Sequence, residues 1–280
     1  MKRYAIGLYE KAMPPELSWR EKLGFAKECG YDFLEISIDE TDAKLARLDW
    51  SAAERRELRE AMEETGLPIR SMCLSGHRKY PLGSADPAVR RRGMEIMEKA
   101  LRLADGLGIR TIQLAGYDVY YEESTPETKR SFLEGLRRAV EMAAVRGVVL
   151  GFETMETDFM NTVWKAMYYV AQVDSPYLTV YPDTGNLTNA ALTYGTDVLA
   201  DLRSGRGHLA ALHLKESRPG VFREVPFLTG HVDFPSLIGC AWELGVRRFV
   251  TEMWYTGSDT WRDDIRFAWK SMSSILDAQG

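Results

Sequence analysis

Cysteine is scarce in this chain: three in 280 residues, Cys29, Cys73 and Cys240, far apart and odd in number. They offer neither a disulfide framework nor a CxxC zinc pattern, which fits a reducing compartment and a cytoplasmic location. No apolar stretch is long enough to cross a bilayer, so no membrane partner is expected. The N-terminal MKRYAIGLYEKAM charges its apolar part at Glu10 and Lys11 and reads as a first strand, not a signal peptide. There is no long basic block, and the net charge is −5, which argues against nucleic acid as a partner while leaving room for a local patch that binds a phosphate. No Pro/Gly/Ser-rich linker divides the chain, so residues 1–280 read as one domain.

What the sequence does contain is a recurrent pattern. Val148–Met155 (VVLGFETM) is a continuous apolar run that ends in a carboxylate, Glu153. Such a run suits a strand buried on both faces, as in a parallel sheet covered by helices. An ionised carboxylate at its end needs a cation, a hydrogen-bond network or an open cleft. The pattern repeats: Leu178–Asp183 ends in Asp183, Leu209–His213 ends in His213, and Phe249–Glu252 ends in Glu252.

Strand candidates begin at Tyr4, Phe33, Ile69, Thr111, Val148, Leu178, Leu209 and near Arg248, and helical segments lie between them. Ser18 with Glu21 and Ser51 with Glu54 have the capping-box spacing, and Gly30 and Gly66 supply stop signals. Strict alternation of strand and helix implies parallel pairing, and eight such units point to a (β/α)₈ barrel. An open doubly wound sheet would carry a glycine-rich first turn for a nucleotide, and Tyr9–Pro15 has none. In a barrel the C-terminal strand ends form the active site, so Glu153, Asp183, His213 and Glu252 should converge. Glu35, alone among apolar neighbours in the second strand, either faces the barrel interior or marks the strand end.

Three carboxylates and one imidazole make an oxygen-rich site for a divalent ion. Mn²⁺ or Mg²⁺ suits it best, with Zn²⁺ or Co²⁺ as acceptable substitutes. A metal beside two glutamates points to proton transfer next to a carbonyl through a metal-stabilised enediolate, one Glu removing a proton and the other returning one. A sugar-type small molecule is the expected partner. A DNA-repair phosphodiesterase on the same barrel would need a multi-metal cluster fed by many histidines, and the chain has only four. A catalytically silent sugar-sensing barrel would not need all four ligands.

The segments MCLSGHRKYPLGS, IQLAGYDVYYE, YPDTGN, HLKESRPGVFREVPF and TEMW resemble the L-ribulose-5-phosphate 3-epimerase (L-xylulose-5-phosphate 3-epimerase) family. This family belongs to the xylose-isomerase-like barrels and is related to the D-tagatose/D-psicose 3-epimerases. The resemblance implies that Glu153, Asp183, His213 and Glu252 bind the metal and that Glu153 and Glu252 are the acid/base pair of C3 epimerisation. It places Asn186 where the related ketose epimerases hold substrate with a histidine, and Arg218 at the position of a substrate-binding cation. Lys215 and the cationic loop with His77 and Lys79 are further candidates for a sugar phosphate. Leu228 departs from the family's usual glycine, which would close off positive φ and crowd the substrate-side loop. A free-ketose 3-epimerase and an aldose–ketose isomerase are the alternatives. Trp254, Tyr255 and Trp261 are candidates either for a homodimer contact or for core packing.

Overall fold

Helix starts and stops follow the local signals. Ser18 accepts the Glu21 N–H while the Glu21 carboxylate accepts the Ser18 N–H at 2.8 Å, and Ser51 and Glu54 repeat the arrangement. Gly30 ends its helix at φ 99°, a left-handed conformation open to glycine at no steric cost.

The computed structural model describes residues 3–280. The start of the N-terminal stretch read as leading into a strand, Met1 and Lys2, lies outside the described residues. The chain runs β1 (Ala5–Tyr9), α1 (Trp19–Cys29), β2 (Phe33–Ile38), α2 (Asp42–Leu45), α3 (Ala52–Thr65), β3 (Ile69–Leu74), α4 (Pro87–Leu107), β4 (Thr111–Ala115), α5 (Pro126–Val145), β5 (Val149–Glu153), α6 (Val163–Val173), β6 (Leu178–Val180), α7 (Thr184–Tyr194), α8 (Val198–Ser204), β7 (Leu212–Leu214), α9 (Phe234–Glu243), β8 (Arg248–Thr251) and α10 (Trp261–Asp277).

The eight strands pair in parallel in the order β6-β5-β4-β3-β2-β1-β8-β7. The two ends of that sheet meet through single bridges, Val180 with Leu209 and Asp183 with His213. At this seam the Val180 N–H donates to the His208 carbonyl at 2.8 Å, and the His213 N–H donates to the Pro182 carbonyl at 2.8 Å. The sheet is therefore a closed barrel with helices outside it, as the alternation of elements implies. No helix among the described residues is long and apolar enough to cross a membrane.

Two apolar layers hold the barrel. The larger joins outward strand residues such as Ile6, Leu8, Ile36 and Phe249 to helix residues such as Leu23, Ile96, Leu136 and Ile265. The smaller fills the lumen with Tyr9, Phe33, Cys73, Tyr181, Ala211 and Val250. Space in the lumen is tight: a Cβ at Gly7 would lie 2.4 Å from the Phe33 ring. Polar inward residues bond across the barrel, as Arg248 does to Thr111 Oγ1 at 2.8 Å.

The structure departs from the sequence expectation in the sixth and seventh units. β6 and β7 are shorter than the apolar runs around them, because the chain leaves the sheet to close the seam. The residues after Asp183, to which the sequence pattern assigns no element, form α7. Its threonines, asparagines and glycine are poor helix formers, and burial of Gly185, Asn186, Leu187 and Asn189 overrides propensity.

Candidate active site

Each residue of the cluster arrives by a different local device. Glu153 is the last residue of β5, and His213 is the middle residue of β7. Glu252 follows β8, its N–H held by the Leu214 carbonyl at 2.9 Å. Asp183 caps α7: its Oδ1 accepts the Asn186 N–H at 2.7 Å, and its own N–H donates to Thr154 Oγ1 at 3.0 Å. All four side chains are buried, and one ligand atom from each lies within 4.8 Å of the others.

Charges this close shift one another. Burial raises the Glu153 carboxyl, and the charge of Glu252 adds to the effect. Burial also acts to raise Glu252, but the Lys215 ammonium and His213 outweigh it and hold that group well below the usual carboxylate range. Burial raises Asp183 although Lys215 opposes it. Burial acts to lower His213, but Glu35 and Glu252 reverse this and raise it well above an ordinary histidine. Among the described residues, one ammonium, that of Lys215, pairs with the cluster, 3.0 Å from Asp183 Oδ1 and 3.6 Å from Glu252 Oε2. Asp183 Oδ2 is buried with no hydrogen-bond partner among the described residues. A spare buried carboxylate oxygen among three acidic groups and an imidazole fits a divalent cation.

Behind the cluster, Glu35 faces the lumen and takes His213 Nε2 at 2.6 Å. That bond fixes the ring and leaves Nδ1, 3.2 Å from Glu252 and 3.7 Å from Glu153, turned toward the carboxylates. Tyr181 donates to the same glutamate at 3.1 Å, and its ring lies edge-on to His213 at 4.9 Å. Gln113 Nε2 lies 3.0 Å from His213 Nδ1. Of this supporting set only Glu35 gave a sequence signal, a lone carboxylate in an apolar strand.

The cavity beside the cluster is lined by Glu153, Glu252, Asn186, Lys215, Lys11, Arg78, Glu156, Phe222, Arg223 and Trp254, among others. The family model for the xylose isomerase-like TIM barrel matches residues 23–271. The putative L-ribulose-5-phosphate 3-epimerase SgbU of Escherichia coli strain K12 is 52% identical over 261 residues, which is 91% of this chain and 90% of that protein. The L-ribulose-5-phosphate 3-epimerase UlaE of Salmonella paratyphi C is 47% identical over 254 residues, 90% of this chain and 88% of its relative. The chain belongs to the L-ribulose-5-phosphate 3-epimerase family. Members named in this way are epimerases, enzymes of the isomerase class. A crystal structure of D-psicose 3-epimerase in the presence of D-fructose shares the fold, with a TM-score of 0.82 at 18% identity over 99% of this chain and 100% of that one.

Placed on this epimerase-family barrel, the remaining candidates divide. Asn186 and Lys215 lie in the cavity wall, joined by a bond from Lys215 Nζ to Asn186 Oδ1 at 2.9 Å. His77 does not reach the cavity. It is buried on the helix side, its Nε2 3.0 Å from the Gly93 carbonyl of α4, and burial lowers it to about 4. Lys79 is exposed, 3.8 Å from Asp42. The loop sends Arg78 inward instead. Arg218 also points away. Its backbone closes a tight turn with Val221, and its guanidinium bonds to Thr229 Oγ1 at 3.1 Å on the surface.

Leu228 holds φ 63°, so the loop keeps the glycine-like path and the crowding expected from leucine does not arise. Its side chain is 52% exposed and does not line the cavity. Trp254, Tyr255 and Trp261, candidates for a homodimer contact or for core packing, each meet neighbouring rings within the chain. Trp254 lines the cavity, while Trp261 is buried with its ring 5.0 Å from Phe25 and 6.5 Å from Tyr255.

Proposed function

We propose that this protein is a divalent-metal-dependent 3-epimerase of ketopentose phosphates, interconverting L-ribulose 5-phosphate and L-xylulose 5-phosphate. The observation that carries this reading is the convergence of Glu153, Asp183, His213 and Glu252 beside a cavity that also holds two guanidinium groups. Glu153, Asp183, His213 and Glu252 would hold the ion, with Mn²⁺ the best match to three oxygen donors and one nitrogen. A divalent ion bound there supplies positive charge that polarises the ketose carbonyl and offsets the charge that develops when a proton leaves the neighbouring carbon.

Glu153 and Glu252 then divide the proton work. One takes the C3 proton, and the other delivers a proton to the same carbon from the opposite face, which inverts the centre. Both carboxylates are buried, and a charge in such a low-dielectric setting acts more strongly on a bound substrate than it would in water. Asn186 and the Lys215 ammonium, bonded to each other, are placed to hold substrate hydroxyls. Glu35 acts one step back by fixing the His213 ring.

The test is turnover of L-ribulose 5-phosphate and of L-ribulose with Mn²⁺ in D₂O, with the label located by NMR. Deuterium should enter at C3 and not at C1, with higher kcat/KM on the phosphate. Glu153→Gln and Glu252→Gln should each lower turnover by at least about a thousandfold, since acid/base groups contribute on the order of 10²–10⁴ each and both are also ligands. Label at C1 would assign an aldose–ketose isomerase, and a preference for the free sugar would assign a free-ketose epimerase.

A further inference from the structure

Lys215 follows His213 by two residues at the exit of β7, and alternate residues of an extended strand point to the same side. Its ammonium therefore reaches the cluster that His213 enters. The backbone there is fixed by Thr184 of α7, whose Oγ1 accepts the Lys215 N–H and donates to the Lys215 carbonyl, each at 2.9 Å. The side chain is 5% exposed.

A lysine ammonium has three N–H donors. Two of them are spent, on Asp183 Oδ1 at 3.0 Å and on Asn186 Oδ1 at 2.9 Å. Asn186 is itself held, its Nδ2 donating to the Thr154 carbonyl at 2.7 Å, so the amide presents its oxygen to the lysine. Among the described residues, the third donor finds no acceptor within hydrogen-bond distance. Glu252 Oε2, at 3.6 Å, lies beyond it and is itself buried without a hydrogen-bond partner. Lys215 lines the cavity together with Glu153 and Glu252, so the spare donor is available where those two carboxylates meet a substrate.

We propose that Lys215 is a catalytic residue that donates its third N–H to the ketose carbonyl oxygen during proton transfer at C3. This rests on the reading of the site as a 3-epimerase. When a glutamate takes the C3 proton, the electron pair of the broken C–H bond forms a C2–C3 double bond, and the carbonyl π pair moves onto oxygen. That oxygen gains negative charge and the Lys215 hydrogen bond to it strengthens, while the ammonium keeps its own proton. Return of a proton to C3 reverses the shift. The donor is held in place before substrate arrives, so no reorganisation is needed as the charge develops. Asn186 positions the ammonium. A donor that only held a hydroxyl would bind ground state and transition state alike, whereas one on the carbonyl oxygen acts most on kcat.

The experiment measures kcat, KM and C3 hydrogen exchange in D₂O for L-ribulose 5-phosphate at saturating Mn²⁺, in the wild type, Lys215→Ala and Lys215→Met. Mn²⁺ binding to each protein is titrated by electron paramagnetic resonance of the free ion. Both variants should lose at least about a hundredfold in kcat with little change in KM, since removing one charge-stabilising donor costs on the order of 10²–10³. Mn²⁺ should bind each variant at least as tightly as the wild type, because a neighbouring positive charge is gone. Ethylammonium should restore at least tenfold in kcat to Lys215→Ala, which leaves room for it, and none to Lys215→Met, which fills the space. A loss confined to KM would make Lys215 a hydroxyl-binding residue, and Mn²⁺ affinity weakened tenfold would make it a support of the ligand set; either result overturns the proposal. Rescue by sodium at equal ionic strength would overturn it too. C3 exchange that persists at the wild-type rate in both variants would overturn the role of Lys215 alone. A wild type that exchanges no C3 hydrogen, on this substrate or on L-ribulose, would overturn the epimerase reading itself.

Discussion

Leu228 shows what a single backbone angle does for a site it does not touch. A non-glycine residue in the left-handed region costs roughly 1–2 kcal/mol, and Leu228 sits there at φ 63°. Its N–H donates to Glu216 Oε2 at 3.0 Å, so the strained conformation is held by a buried acceptor. Leu228→Gly removes the strain, loses little burial because the side chain is half exposed, and adds freedom to the unfolded chain worth roughly 0.5–1 kcal/mol. The expected net gain is up to about 1 kcal/mol, a rise in Tm of roughly 2–4 °C by calorimetry with kcat/KM unchanged. A lower Tm would mean that leucine's contacts outweigh its strain. The same scale explains why Arg78 was not legible beforehand. His77, Arg78 and Lys79 lie in or beside one turn of 3₁₀ helix, where successive side chains rotate by about 120°. Composition marks such a turn as cationic, but only the packing decides which of its neighbouring cations faces the cavity.

At the scale of elements, the loop from Ser217 to Asp233 is the part of the site most dependent on one side chain. Glu216 accepts the N–H groups of Ser217 at 3.0 Å, Leu228 at 3.0 Å and Val232 at 3.1 Å. Gly230 packs so closely that a Cβ there would lie 2.4 Å from Glu216 Oε1. This loop carries Phe222 and Arg223 to the cavity. Glu216→Gln replaces one accepting oxygen with a donor aimed at N–H groups, leaving buried donors unpaired at a cost of roughly 1–3 kcal/mol. KM should rise several-fold with a smaller change in kcat, and limited proteolysis should cut within the loop. Unchanged KM and unchanged cleavage would show that the loop is held by other contacts. The βα rhythm itself was legible because each strand is a short apolar run and each early helix has its own cap and glycine stop. α7 was not, because its residues are poor helix formers and only burial against the barrel makes them helical. The four clustered side chains were legible as polar ends of apolar runs, whereas Gln113 and Tyr181 gave no such signal.

At the scale of the whole molecule, the barrel is closed at its weakest point by two residues of the cluster. β6 and β7 meet through isolated bridges, and one of those pairs is Asp183 with His213. A divalent ion held by both, as proposed above, would cross-link the seam. Without it, among the described residues, the Lys215 ammonium and the His213 imidazole are left to offset the acidic groups. Ligand binding to the folded state alone stabilises by RT ln(1 + [L]/Kd), and here that free energy is concentrated where the sheet has fewest bonds. Amide hydrogen exchange should record it: after chelation, the N–H groups of Ala210 and His213 should exchange at least tenfold faster, while those in β2 and β3 keep their protection. Uniform acceleration, or none, would mean that the ion does not fasten the seam. Where the ion does fasten the seam, catalytic competence and the opening of the barrel answer to one variable, the free concentration of the ion.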